Sequence, residues 1–141
     1  MFDLFKKKNQ ADEQGIENIL TIQDETEKVI ALHQFCNQHS EHWTETERLI
    51  NAVEDFESDV MNGGFDQYLS NKAESEWKDT LFGLEKIGAT RSLNLFKKAL
   101  AVYEKQPEAL EALDTEFFKY EDKIQTLVIK YAETHRNDFS K

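Results

Sequence analysis

Two histidines in the first third of the chain have the spacing of half a metal site. His39 and His42 stand three residues apart, so a helix would place both imidazoles on one side, with Glu41 and Glu45 close by. Zinc sites normally need three or four ligands, and the sequence places no third strong ligand. We interpret the pair as a polar helix end and expect neither a metal nor any other cofactor.

The remaining candidates for catalysis are a thiol and two carboxylates. Cys36 is the single cysteine, with His33 and His39 near it in sequence, and we interpret it as a buried thiol rather than a nucleophile. Asp59 and Asp66 flank a glycine turn, where carboxylates are more often helix caps than acid–base catalysts. Without a nucleophile elbow or a P-loop lysine, the sequence predicts that the protein is not an enzyme.

Carboxylates supply the largest chemical signal in the chain. The 141 residues have a net charge of −11, and the excess is uneven: residues 1–11 contribute +2, residues 12–76 contribute −13, and residues 77–141 are neutral. Direct binding to DNA or RNA needs basic patches, so this balance argues against it. It favours a basic protein partner, although an acidic chain can also serve solubility alone.

One predicted helix carries many of these acids. Thr44 and Glu47 have capping-box spacing and start a helix over residues 45–61, with a buried stripe at Leu49, Ile50, Val53, Phe56 and Val60. Acids late in a helix oppose the helix dipole at roughly 0.3–1 kcal/mol each, which suggests that they serve something other than stability. The predicted partner-binding residues are Glu45, Glu47, Glu54, Asp55, Glu57 and Asp59.

The helix runs into the most unusual stretch of the sequence. Asn62, Gly63 and Gly64 can adopt positive φ, so we expect one of them to end the helix in a left-handed cap. Phe65 then begins a short helix at a sharp angle. Asp66 and Gln67 either bond the free amides of the turn or face solvent as a recognition pair.

The whole chain is predicted to be an all-α single domain of about six to seven helices. Its length suits one domain, and one proline with five glycines leaves long helical stretches. Residues 1–11 are expected to be a flexible N-terminal segment, and residues 12–141 the helical domain. No apolar run approaches the length of a membrane span, and the N-terminal order of charge differs from that of a secretory signal, so the sequence predicts a cytoplasmic protein.

Individual helices follow from apolar periodicity and capping residues. Helices are expected over residues 12–23, from Asp24 or Thr26 to His39, over residues 74–88 with close packing at Gly83 and a cap at Gly88, and over residues 91–105 with Thr90 as cap. Asp114 is expected to cap a last segment that ends near His135, with a break near Glu121.

Three stretches of the sequence form a distinctive set: Glu57–Asn71, which contains Asn-Gly-Gly-Phe-Asp-Gln, then Leu84–Ala89, and Leu113–Phe118 followed by Tyr131-x-x-x-His135. Together they resemble a bacterial all-helical domain family of unknown function that is typified by a DNA-mimic protein. The resemblance implies an acidic helical dimer whose carboxylates imitate DNA phosphates and occupy the basic surface of a DNA-binding protein.

These observations leave several functions open. The first is DNA mimicry directed at a basic transcription factor or nucleoid-type protein. The second is an immunity-type protein that neutralises a toxin, and the third is a helical domain without mimicry. A homodimer is possible in each case.

Overall fold

The computed structural model describes residues 15–140, and within them the fold is all-α, as predicted. The seven α-helices of this part are α1 (Ile16–Leu20), α2 (Glu25–Gln38), α3 (Glu45–Asn71), α4 (Glu74–Ile87), α5 (Thr90–Val102), α6 (Leu110–Phe118) and α7 (Ile124–Thr134). Short 3-10 turns span Ser40–His42, Pro107–Ala109 and Arg136–Asp138. The predicted N-terminal segment, residues 1–11, lies outside the described residues.

Helix α3 is the central element of the fold. It packs against α2, α4, α6 and α7 and against the 3-10 turn at Arg136–Asp138. The five apolar residues predicted for its buried stripe are all 0–1% exposed. Because α3 has neighbours on several sides, some of its polar positions are also covered. This packing determines which of its acidic side chains are buried.

Close approach between α3 and α4 depends on Gly83. A Cβ atom at this position would lie 2.7 Å from Cγ2 of Val53 and 3.2 Å from the carbonyl oxygen of Leu49. The contact confirms the predicted close packing at Gly83. Gly88 ends α4 with φ 82° and ψ 22°, as predicted for a left-handed cap.

An aromatic cluster joins the two halves of α3 to the later helices. The ring of Phe56 lies 5.0 Å from Phe96 on α5, 5.1 Å from Tyr68 and 5.5 Å from Phe117 on α6, measured between centroids. The Tyr68 hydroxyl shares a 2.7 Å hydrogen bond with the Thr80 hydroxyl of α4. Buried aromatic pairs of this kind add to the stabilisation from burial alone.

Two predicted caps are wrong. Helix α5 begins at Thr90 itself, and the carboxylate of Asp122 accepts from the amides of Arg91 and Ser92. Asp114 lies inside α6 rather than at its start.

The predicted break near Glu121 is confirmed, because Tyr120 and Lys123 have φ of 53° and 49° between α6 and α7.

No helix within residues 15–140 is long and apolar enough to cross a membrane.

Candidate partner-binding surface

Glu47 is an interior residue, and its predicted place on the helix surface is wrong. Its side chain is fully buried. One carboxylate oxygen accepts from the Thr44 amide at 2.9 Å, which completes the predicted capping box, and also from the Ser140 hydroxyl at 2.9 Å. The other oxygen accepts from the Ser140 amide at 3.1 Å. This carboxylate fastens the end of the described chain to the start of α3.

Glu54 is also absent from the exposed surface, contrary to the prediction. Its side chain is 7% exposed, and Oε1 has no hydrogen-bond partner among the described residues. Burial, followed by the nearby charges of Glu57 and Asp55, raises the pKa of Glu54 to about 8. The group is therefore mostly protonated at neutral pH, and it cannot imitate a phosphate there.

Asp55 is half-buried and its charge is already compensated. Its Oδ1 lies 2.9 Å from Nε2 of His33, and its Oδ2 lies 3.7 Å from Nζ of Lys72. Burial raises the pKa of Asp55, but the hydrogen bond and charge of His33, together with Lys72, outweigh burial and leave it below the ordinary value. Asp55 is an ionised group that other residues of the fold already contact.

Asp59 forms a hydrogen bond across a kink that Gly63 and Gly64 introduce into α3. It is partly buried, and its Oδ1 accepts a 3.4 Å hydrogen bond from Nε2 of Gln67, eight residues further along the chain. Gln67 in turn accepts from Nδ2 of Asn62 at 3.2 Å. These bonds connect the helix on either side of the two glycines.

Glu45 and Glu57 are the two predicted contacts that remain most available. Glu45 is exposed in the first turn of α3. Glu57 is half-buried and accepts a 2.9 Å hydrogen bond from the Tyr120 hydroxyl. Burial raises the pKa of Glu57, and this hydrogen bond partly opposes the rise. Twelve residues separate the two, which rotates their positions by about 120° around a helix. The six predicted acids therefore do not form one continuous stripe.

The kink after Asn62 has a structural basis in both glycines. Gly64 has φ 80° and ψ −180°, a backbone region that is essentially restricted to glycine. A Cβ atom at Gly63 would lie 2.7 Å from Cδ of Gln67, near the end of a flexible side chain, so the requirement for glycine is stronger at Gly64. The predicted interruption is confirmed, because two helical segments meet across a kink at Gly63 and Gly64 and the second reaches Asn71; Gly64 has the expected positive φ, but its ψ of −180° is not that of a left-handed cap.

Asp114 closes this kink from another helix. Its Oδ1 accepts a 2.8 Å hydrogen bond from the Phe65 amide, which the interruption leaves without a helical partner. A Cβ atom at Gly64 would lie 2.8 Å from Cγ of Asp114. Asp66 and Gln67 were expected either to bond the free amides of the turn or to face solvent. Gln67 instead forms hydrogen bonds with other side chains across the kink, whereas Asp66 is exposed. Asn62, Gly63, Gly64, Phe65 and Gln67 thus have structural contacts, as expected for this motif.

Tertiary structure adds carboxylates that the sequence analysis missed. Asp138 lies beside Glu45: both border one surface depression, and both charges contribute to raising the pKa of Tyr131, whose burial is the larger cause. Glu111 and Asp66 lie near Asp114, where burial first and these two charges second raise the pKa of Asp114. Sequence separations of 45 to 93 residues hid these groupings.

We name three groups by their residues. The helix-start acids are Glu45 and Asp138, the groove acids are Glu54 and Glu57, and the kink acids are Asp66, Glu111 and Asp114. Within the part of the chain that the structure describes, none of the seven forms an ion pair with a lysine or arginine. By contrast, Glu17, Asp79 and Glu116 each lie within 3.4 Å of an arginine nitrogen.

The environments of Cys36 and His39 suit structural roles. Cys36 is fully buried, and burial raises the pKa of its thiol, so the interpretation as a buried thiol is confirmed. Nδ1 of His39 lies 2.7 Å from the carbonyl oxygen of Phe35. Across residues 15–140, no three His, Cys, Asp or Glu side chains are grouped so that they could hold a metal ion.

Comparison with known proteins identifies a family. The family model described as DMP19-like protein matches residues 41–135, about two-thirds of the chain. The match covers α3 through α7 and confirms, at the level of the family, the resemblance seen in the sequence. No curated protein and no solved structure matches the chain significantly.

Proposed function

We propose that this chain, which belongs to the DMP19-like protein family, binds the basic surface of a DNA-binding protein through its surface carboxylates and so competes with DNA. The family supports a DNA-mimic role, and the net charge of −11 supports a basic partner. Competition would be steric, because the acidic protein and DNA would occupy the same cationic surface.

The observation that carries the proposal is that carboxylates from distant parts of the sequence, all without cationic partners among the described residues, lie together at two places beside α3. The helix-start acids and the kink acids include the exposed Glu45, Asp66, Glu111 and Asp138. A carboxylate that has no cation in its own chain keeps its attraction for cations on another protein. Opposite charges across an interface accelerate encounter and select the partner.

We propose binding rather than catalysis for the same surface. The potential nucleophile Cys36 is buried, and His33 and His39 are engaged with Asp55 and with the backbone of Phe35. The carboxylates with the fewest internal contacts are surface groups, which suits reversible contact with a basic protein.

A capture experiment with matched charge variants tests the proposal. The immobilised protein is exposed to DNA-binding proteins purified from the source cells on a cation exchanger, and bound protein is eluted with rising salt. One variant combines Glu45→Gln, Asp138→Asn, Asp66→Asn and Glu111→Gln. The control combines Glu74→Gln, Glu85→Gln, Glu104→Gln and Glu108→Gln, which remove the same charge at other exposed positions.

We expect wild type and control to retain a basic DNA-binding protein that elutes as salt rises, and the first variant to release it at lower salt. Equal elution from both variants would show that net charge alone drives the interaction. Retention that does not respond to salt would contradict the proposal.

A further inference from the structure

A groove between α2 and α3 contains a carboxyl group that the fold does not satisfy. The groove has a volume of about 420 Å³ and is bordered by Val29, Ile30 and His33 of α2 and by Glu54 and Glu57 of α3. The Glu54 side chain is more than nine-tenths buried, and its Oε1, which is shielded from solvent, has no hydrogen-bond partner within residues 15–140. Buried polar atoms are paired in most proteins, so this unpaired oxygen calls for a partner.

Two exposed apolar side chains border the groove. Ile30 is 52% exposed on the α2 side, and Met61 is 47% exposed on the α3 side. They are two of the four large hydrophobic side chains that the described surface leaves exposed. A flexible methionine can adapt to side chains of different shape. The groove thus combines apolar edges with two carboxyl groups.

The groove-lining residues of the described chain offer two carboxyl groups and no lysine or arginine, which favours a cationic occupant. His33, the one basic group among them, is already paired with Asp55. An arginine guanidinium presents five donors in a planar fork and can bond both carboxyl groups, while its methylene stem packs on apolar side chains. Lysine would supply a more strongly hydrated point charge.

We infer that this groove binds an arginine side chain of the partner protein, flanked there by apolar residues, with the guanidinium between Glu54 and Glu57. The inference rests on the proposed function, because it specifies one contact that the basic partner makes. It gives Glu54 a role different from that of an exposed phosphate substitute. Rotation of the Glu54 side chain toward the groove would let the guanidinium supply the missing hydrogen-bond partner and stabilise the ionised carboxylate.

Arginine binding should therefore depend on pH. Glu54 is mostly protonated below its pKa of about 8. The titratable groups around it are Asp55 and Glu57 on α3, His33 and Cys36 on α2, and Tyr120 ahead of α7. If binding requires ionised Glu54, affinity rises with pH by close to tenfold per unit between pH 6 and 7 and levels off above 8.

Two peptides and two variants test the inference in the full-length protein. The probes are the acetylated amide Leu-Ala-Arg-Ala-Leu and the same peptide with citrulline, which keeps the shape of arginine without its charge. Amide resonances of the labelled protein report the binding site and the dissociation constant. Glu54→Gln keeps the side-chain shape but cannot ionise, and Glu85→Gln on α4 is the control with the same loss of one carboxyl group.

We expect the arginine peptide to shift resonances of α2 and α3 along the groove and the citrulline peptide to bind at least tenfold more weakly. Glu54→Gln should reduce this preference and remove the rise of affinity with pH, whereas Glu85→Gln should leave both unchanged. No binding at the groove, equal binding of the two peptides, or an unchanged pH dependence in Glu54→Gln would each overturn the inference.

The groove inference and the proposed function can fail independently of each other. If the peptide binds as described but no DNA-binding protein is displaced from DNA, the groove stands and the proposed function fails. If DNA is displaced equally by wild type and Glu54→Gln and the peptide does not bind, the proposed function stands and the groove inference fails.

Discussion

Buried carboxylates on α3 show that an acid in this sequence can serve the fold rather than the surface. Glu47 receives hydrogen bonds from Thr44 and from both the amide and the hydroxyl of Ser140. The capping bond was predictable, because Thr44 and Glu47 are three residues apart. The bonds to Ser140 were not, because 93 residues separate the partners and no local pattern links them.

Replacing Glu47 with glutamine should destabilise the protein. Glutamine keeps the length of the side chain but loses an anionic acceptor and introduces a donor toward other donors. We expect a loss of about 1.5–3 kcal/mol in the free energy of unfolding, measured by urea denaturation. The exposed Glu45→Gln should change it by less than about 0.5 kcal/mol. Equal effects of the two changes would contradict the assigned role of Glu47.

Glu54 should make stability depend on pH. Its pKa rises from 4.5 to about 8 on folding, so its contribution is fully present below pH 4.5 and is lost as pH rises through 8. Relative to Glu54→Gln, wild type should lose up to about 1.4 kcal/mol of unfolding free energy per pH unit within that window. Urea denaturation of both proteins at several pH values measures the difference. A difference that stays constant from pH 5 to 9 would show that Glu54 titrates normally.

At the scale of elements, the kink in α3 is a joint formed by two distant parts of the sequence. Gly63 and Gly64 interrupt the helix, and Asp114 of α6 accepts from the freed Phe65 amide. The second half of α3 then directs Phe65 and Tyr68 into the aromatic cluster around Phe56. The two glycines were recognisable in the sequence, but the capping residue 49 positions later was not.

Gly64→Ala should destabilise the protein more than Gly88→Ala. Alanine at residue 64 is confined to a glycine-specific backbone region, at about 1–3 kcal/mol, and its Cβ also meets the Asp114 carboxylate. Gly88 is left-handed, but no atom lies within 4 Å of the position that an alanine methyl group would take, so the expected loss is about 1–2 kcal/mol. Thermal and urea unfolding compare the two. A smaller loss at residue 64 than at residue 88 would contradict the description of the kink.

Capping patterns explain which element boundaries were predictable. The local signals at Asp24, Thr44 and Gly88 marked helix ends correctly, since each acts within a few residues. Asp122, in the turn before α7, and Asp114, inside α6, instead accept from backbone amides of distant helices, so their sequence neighbours give no indication of it. Local chemistry therefore located most helices, and long-range contacts decided how some of them begin.

At the scale of the whole molecule, the central position of α3 changes the meaning of its charges. The amphipathic pattern correctly predicted a buried stripe, but the other faces of α3 are also partly covered by α2, α4, α6 and α7. Glu47 and Glu54 are consequently buried, and Asp55 is paired. Net charge is a property of composition, whereas the availability of each carboxylate is a property of packing.

The carboxylates that remain available come from separate parts of the sequence. Asp138 joins Glu45 at the start of α3, and Glu111 and Asp114 join Asp66 at the kink. The helix-start acids and the kink acids therefore both include residues from the electrically neutral second half of the chain. A partner-binding surface would therefore require the folded structure, and it should be lost when the protein unfolds.

Displacement of DNA is the most direct measurement of the proposed function. A fluorescent duplex is bound to the DNA-binding protein captured by the charge experiment, and fluorescence anisotropy is followed as the acidic protein is added at fixed salt. Wild type should release the duplex completely, and its inhibitory concentration should rise in proportion to the duplex concentration, as competition requires. The variant that combines Glu45→Gln, Asp138→Asn, Asp66→Asn and Glu111→Gln should have an inhibitory concentration at least tenfold higher than that of wild type. Formation of a ternary complex, with the duplex still bound at saturation, would contradict the account.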